Sequence, residues 1–276
     1  MGKDVSMTET ASAAVPVAVC QFAPTASREG NRDRIAAMTV EAASRGARLV
    51  VFPEYSSYFV NPMDETLAAN AEALEGEFVS TLTALAADHG VVIVAGLVER
   101  ASDARHVHNT VVAVRGDGIL ATYRKQHLYD AFGQTESDWI EAGELGPATF
   151  EVAGIRFGLL TCYDLRFPEV ARTLVDAGAE ALVVPAEWVR GPLKEHHWTT
   201  LLAARAIENT TYVVAADHPT PVGVGHSQII DPQGVVIAGV GVHDGIAIAA
   251  VERAAIDRVR ETNPSLRVRR YAVTPR

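Results

Sequence analysis

The chain has 276 residues, enough for one large domain or two small ones, and its 48% hydrophobic and 21% charged residues are ordinary globular values. A formal net charge of −10 argues against a basic surface for nucleic acid or an anionic membrane. Two cysteines, Cys20 and Cys162, exclude a disulfide framework and point to a reducing cytoplasm, and no apolar run is long enough to cross a bilayer.

Residues 1–14 have no basic segment followed by an apolar core, so they read as a flexible leader outside the fold. Residues 15–22 predict a first strand, with Cys20 as core. Residues 27–45 carry helical spacing through Ile35, Met38 and Ala42, and Gly46 ends it. Residues 49–52 predict a buried strand closed by Pro53, with Glu54 directly after it and an aromatic loop (Tyr55, Tyr58, Phe59) beyond. A helix over 77–89, stopped by Gly90, leads to a strand over 91–98. Strands over 109–114 and 119–123 flank Arg115-Gly116-Asp117-Gly118, a hairpin signal, and Lys125 lies just past the second. Residues 126–148 form a loop long enough to be functional or disordered.

The second half repeats the theme. Strands are predicted over 150–152, 155–160, 181–184, 212–216, 227–230, 235–238 and 245–251. Helices are predicted over 167–177, ended by Gly178, over 196–208, and briefly from Ala254; the basic tail at 267–270 is expected to be exposed. Strands alternating with helices argue for an α/β fold, and helices on one face of each sheet would leave the other faces to pack together.

Three chemistry-bearing residues share one setting. Glu54, Lys125 and Cys162 each follow the C-terminal end of an apolar strand, the edge where sites gather in layered α/β folds. Cys162 stands where a strand turns into a helix opened by Pro168 and Glu169. That junction exposes a nucleophile and leaves backbone N–H groups free to hold an oxyanion. Singly, each has a plain explanation: a solvated glutamate, a surface Arg124-Lys125 pair, a buried structural cysteine. Jointly, an acid, a base and a thiol at three strand ends are harder to dismiss. His196 and His197 are neighbours and cannot form an i, i+4 metal pair, and His106 and His108 lack a companion ligand at metal-site spacing. A papain-like order of Cys162, His197 and Asn209 lacks the local signature around its cysteine and leaves Glu54 and Lys125 idle.

Phe52-Pro53-Glu54, Tyr123-Arg124-Lys125-Gln126-His127-Leu128 and Thr161-Cys162-Tyr163-Asp164-Leu165-Arg166-Phe167-Pro168-Glu169 resemble, in order, the three signature segments of the nitrilase superfamily, the carbon–nitrogen hydrolases. His108-Asn109-Thr110, Arg205-Ala206-Ile207-Glu208-Asn209 and Asp231-Pro232-Gln233-Gly234 support the resemblance, which runs from about Val15 to Arg270. It implies a four-layer α-β-β-α sandwich, one domain over 15–276 with a C-terminal tail, and no cofactor or metal. It also implies a reaction. Cys162 attacks an amide carbonyl as a thiolate, Glu54 shuttles the proton and later activates water, and Lys125 with the Tyr163 backbone N–H holds the oxyanion. A second glutamate from the loop after the lysine matches Glu136 in Thr135-Glu136-Ser137-Asp138, with Glu141 as its competitor.

Tyr58, Phe132, Arg166, Glu187 and Trp188 are the expected substrate-binding residues, although Arg166 could equally pair with Asp164 or Glu169. The segment around Cys162 is most similar to the omega-amidase and deaminated-glutathione amidase branch. The expected activity is therefore hydrolysis of a small aliphatic or carboxylate-bearing amide to acid and ammonia. The alternatives are N-carbamoyl-amide hydrolysis, nitrile hydrolysis, or a catalytically silent binding protein. Ala215-Ala216-Asp217-His218-Pro219 departs from the pattern and bears on which substrate is used. Pairing through the helices after Cys162 and over 196–208 is expected to give at least a homodimer.

Overall fold

The computed structural model describes residues 14–103 and 105–276; apart from Ala14, the expected leader lies outside the described residues. In chain order the elements are β1 (Ala14–Gln21), α1 (Arg28–Ser44), β2 (Leu49–Val51), α2 (Thr66–Asn70), α3 (Glu77–His89), β3 (Val92–Arg100), β4 (Val107–Arg115), β5 (Gly118–Arg124), β6 (Ala148–Val152) and β7 (Ile155–Leu159). They continue with α4 (Pro168–Asp176), β8 (Ala181–Pro185), α5 (Lys194–Asn209), β9 (Tyr212–Ala216), β10 (Gln228–Ile230), β11 (Val236–Gly239), β12 (Gly245–Glu252) and α6 (Arg253–Thr262).

The strands form two six-stranded sheets, ordered β12-β1-β2-β3-β4-β5 and β11-β10-β9-β8-β7-β6. In each, three central parallel strands (β1-β2-β3 and β7-β8-β9) carry antiparallel strands on both sides. The two halves of the chain thus share one plan.

Period-two alternation explains why the central strands read as apolar throughout. Val17, Val19, Leu49, Val51, Phe157, Leu159, Val183 and Val214 point into one core between the sheets. The intervening Ala18, Cys20, Val50 and Phe52 face the other way, onto Ile35 and Met38 of α1 and Phe78 and Leu82 of α3. Leu182, Val184 and Val213 likewise face Leu174 of α4 and Trp198 and Leu202 of α5. The result is the four-layer α-β-β-α sandwich. Each large side chain in these layers contributes about 1.5–3 kcal/mol through burial.

Local signals set the helix ends. Ser27 caps α1 by accepting from the Gly30 N–H, Gly90 ends α3 in the left-handed region at φ 65°, and Pro168 occupies the first turn of α4. The short helix α2 has no counterpart in the sequence reading, because five residues are too few to display a helical period. Residues 126–148 are neither disordered nor featureless: they hold a 3₁₀ turn at Glu136–Asp138 and return to the sheet where Ile140 bridges Val107.

Candidate active site

Glu54 follows β2 by three residues, and the chain then turns sharply, with Tyr55 in the left-handed region at φ 56°. Gly96 of β3 makes room for this turn. A Cβ there would come within 2.4 Å of the Tyr55 nitrogen and 2.8 Å of the Glu54 Cα, so glycine lets the two backbones touch. The Glu54 carboxylate is buried. Its Oε1 accepts from Lys125 Nζ (3.0 Å) and Asn109 Nδ2 (2.6 Å), and its Oε2 accepts from the Glu187 backbone N–H (2.6 Å).

Lys125 lies one residue beyond β5 and is only 2% exposed. Its ammonium spans two carboxylates, donating to Glu54 and to both oxygens of Glu136 at 2.9 and 2.8 Å. Glu136 is fixed in turn by the Tyr55 hydroxyl (2.6 Å), the Tyr129 N–H (2.6 Å) and Asn109 Nδ2 (3.2 Å). Glu136 is the loop glutamate that meets the lysine; the competitor Glu141 is exposed on the surface.

Cys162 opens a 3₁₀ turn over Cys162–Arg166 with φ 45°, a left-handed conformation that a non-glycine residue holds only when its surroundings enforce it. The enforcement is visible. Asp164 accepts from the Thr161 N–H (3.1 Å), the Tyr123 hydroxyl (2.7 Å) and the His127 N–H (3.0 Å), locking the turn to the strand that delivers Lys125. The thiol is buried and donates to the Glu187 carbonyl at 3.3 Å. Tyr163, next in the turn, lies where a helical start leaves its backbone N–H without an intrahelical acceptor.

The charges are arranged unequally. Burial, helped by Glu136, raises the pKa of Glu54 even though Lys125 and Asn109 pull it down. Burial also works against the charge of Glu136, but Lys125 and the hydrogen bonds from Tyr55 and Tyr129 outweigh it and hold this carboxyl below its usual range. Burial opposes the Lys125 charge too, yet Glu136 and Glu54 together keep its pKa well above the ordinary lysine value. Burial and the neighbouring Glu54 push the Cys162 thiol well up, so the resting group is a thiol. The two carboxyls on one ammonium are thus pushed in opposite directions, Glu54 toward its protonated form and Glu136 toward its ionised form.

These groups meet at a cavity of about 300 Å³, which Tyr163, Arg166, Glu187 and Trp188 also line. Two expected substrate contacts are not among the residues that line it. Tyr58 does not line the cavity: the left-handed turn at Tyr55 sends it toward α2, where its hydroxyl donates to Thr66 Oγ1 (2.7 Å), and its neighbours Tyr55 and Phe59 face the cavity instead. Phe132 is 66% exposed at the mouth, its ring 5.5 Å from the Arg166 guanidinium and 3.9 Å from Lys194 Nζ. Arg166 forms no ion pair with Asp164 or Glu169. Asp164 is committed to Tyr123, Thr161 and His127, and the guanidinium lies 4.8 Å from the Trp188 ring. The papain-like order is not assembled, since His197 faces Arg166 and Asn209 donates to the Arg205 carbonyl.

Several residues here escaped the sequence reading. Asn109 joins Glu54 to Glu136, and its carbonyl accepts from the Lys125 N–H (2.8 Å), so strand pairing carries it to the site. Lys194, largely buried at the start of α5, donates to the Tyr129 hydroxyl at 2.5 Å, and burial with the nearby Arg166 lowers its pKa. No local pattern marks either one, although Asn109 falls in the His108-Asn109-Thr110 stretch that supports the family resemblance. Asp217 and His218 lie behind the cavity wall. Asp217 accepts from the N–H groups of Trp188 (2.7 Å), Val224 and Gly225 (both 3.1 Å). His218 Nε2 donates to the Glu54 carbonyl (2.8 Å), and burial lowers its pKa to about 4, which keeps the ring neutral.

The carbon-nitrogen hydrolase family model matches residues 16–261. The chain belongs to the carbon-nitrogen hydrolase family. Among its relatives is the deaminated glutathione amidase of Escherichia coli O157:H7, 41% identical over 256 residues, which are 93% of this chain and 97% of that protein. Among solved structures, Saccharomyces cerevisiae Nit3, a member of branch 10 of the nitrilase superfamily, superposes with a TM-score of 0.82 at 26% identity, covering 94% of this chain and 97% of that one. A double mutant of the amidase from Nesterenkonia sp. AN1, in complex with acrylamide, superposes with a TM-score of 0.79 at 25% identity, covering 93% of this chain and 94% of that one. As a carbon–nitrogen hydrolase, this chain cleaves non-peptide carbon–nitrogen bonds.

Proposed function

We propose that this hydrolase is an amidase that works through a Cys162 thioester. The observation that carries the reading is the buried Glu54–Lys125–Glu136 network beside the Cys162 thiol at one cavity. Glu54 accepts the thiol proton as sulfur attacks the amide carbonyl. The tetrahedral oxyanion forms against the Lys125 ammonium and the Tyr163 N–H, charges and dipoles already in place before the reaction. Glu54 passes the proton to the leaving nitrogen, and ammonia departs. Glu54 then takes a proton from water, whose oxygen attacks the thioester carbonyl, and returns it to sulfur as the acid leaves. Glu136 stays ionised throughout and anchors Lys125.

The mouth supports a carboxylate-bearing amide. Arg166 and Lys194 stand there among Tyr129, Phe132 and Trp188, and neither is paired with an acid among the described residues. Two cations without acidic partners fit an anionic group on the acyl chain, and the similarity to deaminated glutathione amidase agrees. N-carbamoyl amides and nitriles would meet the same thiol, and the intact network argues against a silent binding protein. Ammonia release from a panel of succinamate, propionamide, an N-carbamoyl amino acid and propionitrile tests the reading. Succinamate is expected to exceed propionamide in kcat/KM by at least about tenfold, the effect of one charge-assisted hydrogen bond. No ammonia from any of them would overturn the proposal.

The same reading takes residues 15–276 as one domain with a tail, and two free cysteines suit a reducing cytoplasm. Among the described residues no helix is long and apolar enough to cross a membrane. Assembly is proposed from the surface. Ile207 near the end of α5, Val235 just before the edge strand β11, and Val236 and Ile237 within it are exposed, and Ile207 lies against the Gly234 turn that leads into them. An apolar patch on an open sheet edge suits a two-fold contact with a second copy. Light scattering at micromolar concentration should give at least a dimer mass; a clean monomer would count against pairing.

A further inference from the structure

Glu187 is the group at the cavity that the reaction above leaves without a task. Its main chain is pinned between the reacting residues: the N–H donates to Glu54 Oε2 (2.6 Å) and the carbonyl accepts from the Cys162 thiol (3.3 Å). The following residue is held by Asp217 through the Trp188 N–H (2.7 Å). The side chain therefore starts one bond from the chemistry and has little freedom to swing away. Glu187 is 7% exposed, lines the cavity, and has a buried Oε1 with no hydrogen-bond partner. Neither Arg166 nor Lys194 forms an ion pair with it among the described residues. An unpaired carboxyl oxygen beside a cavity is costly unless a bound molecule supplies the partner, and an apolar residue would fill the place more cheaply.

We propose that Glu187 is a specificity-determining residue that hydrogen-bonds an oxygen substituent, a hydroxyl or an oxo group, carried by the acyl chain next to the scissile carbonyl. The inference rests on the amidase reading and deepens it. The location selects that end of the substrate, since Glu187 adjoins Glu54 and Cys162 while Arg166 and Lys194 stand at the mouth. The surroundings select the chemistry. Burial, then Glu54 and Asp217, push the Glu187 pKa well up; Lys125 opposes them and Glu136 adds to them. The protonated form that this favours has one O–H to donate and a carbonyl oxygen to accept. That pair matches a hydroxyl in either direction and an oxo group through the O–H. It leaves an unsubstituted methylene with nothing to offer the buried oxygen, and sites built to bond a substrate hydroxyl discriminate strongly against analogues lacking it.

Lactamide and propionamide differ by that one hydroxyl. For the wild-type chain kcat/KM for lactamide should exceed that for propionamide by about tenfold or more. Glu187→Ala should bring the ratio to within about twofold of unity, while Glu187→Gln, which keeps a donor and an acceptor in the same shape, should hold it within about threefold of wild type. Near-ultraviolet circular dichroism confirms that each variant is folded, and a variant that is not is replaced by Glu187→Ser. A wild-type ratio near unity, an unchanged ratio in Glu187→Ala, or Glu187→Gln behaving like alanine would each overturn the assignment. If the wild-type chain hydrolyses other amides of the panel, that failure touches Glu187 alone; if it hydrolyses none, the amidase reading fails and this inference with it.

Discussion

Cys162→Ala is expected to fold normally and to release ammonia about 10⁵–10⁶-fold more slowly than wild type, the usual consequence of deleting a covalent nucleophile. The fold should survive because little depends on the sulfur. Among the described residues its hydrogen bond goes to the Glu187 carbonyl, and the left-handed turn is held by Asp164 through Thr161, Tyr123 and His127 rather than by the thiol. Alanine meets the same steric cost at φ 45° as cysteine does. Cys20 supplies an internal control. It is fully buried in β1, facing α1 and α3, and burial raises its thiol pKa far beyond the reactive range. Cys20→Ala should therefore alter stability by the loss of one buried atom and leave turnover in place. A structural role for Cys162 makes the opposite forecast, with both substitutions acting on melting temperature and neither on kcat. Ammonia release per folded molecule separates the two, and near-normal release by folded Cys162→Ala removes the thioester route.

Much of the architecture was legible because burial on both faces turns the parallel strands into unbroken apolar runs, which stand out in any sequence. Glu54 and Cys162 were legible as candidates for the same reason, each standing three residues past such a strand; Lys125 instead follows the half-exposed antiparallel strand β5 and was legible through the segment Tyr123 to Leu128 that carries it. Helix ends at Gly46, Gly90 and Gly178 could be read because all three adopt positive φ, the conformation glycine reaches without penalty. What escaped was partnership at a distance. Asn109 is one asparagine among ordinary strand residues until pairing brings it to Glu54, 55 positions away in the chain. Lys194 looks like any lysine at a helix start until Tyr129, 65 positions earlier, accepts its hydrogen bond. Tyr58 rather than Tyr55 was the expected substrate contact, and the choice fails because the left-handed turn between strand and loop has no periodicity to betray which ring faces the cavity. The departure at Asp217 and His218 was visible, but not its meaning: these residues brace Trp188 and Glu54 from behind.

Lys125→Arg should fail almost as badly as Lys125→Ala, although it keeps the positive charge. The ammonium is gripped at 2.8–3.0 Å by Glu54 on one side and both oxygens of Glu136 on the other. Asn109 joins the same two carboxylates, at 2.6 and 3.2 Å. A compact charge with freely directed donors fits that space and can still face an oxyanion; a planar guanidinium with its donors in a rigid fork cannot adopt the same contacts. Glu54→Gln should also abolish turnover, since an amide cannot carry a proton, and the double variant should be no worse than the singles because the residues act as one unit. Two other readings predict different numbers. A surface lysine would tolerate arginine within about 0.5 kcal/mol, or roughly twofold in rate, and a residue that is 2% exposed does not meet that description. A purely structural ion pair is the stronger rival. Breaking it costs about 3–5 kcal/mol of stability, so melting temperature would fall while kcat per folded molecule stayed near wild type. Measuring both on Lys125→Arg decides the matter: a folded variant with near-normal kcat takes Lys125 out of the chemistry and leaves the oxyanion without its cation.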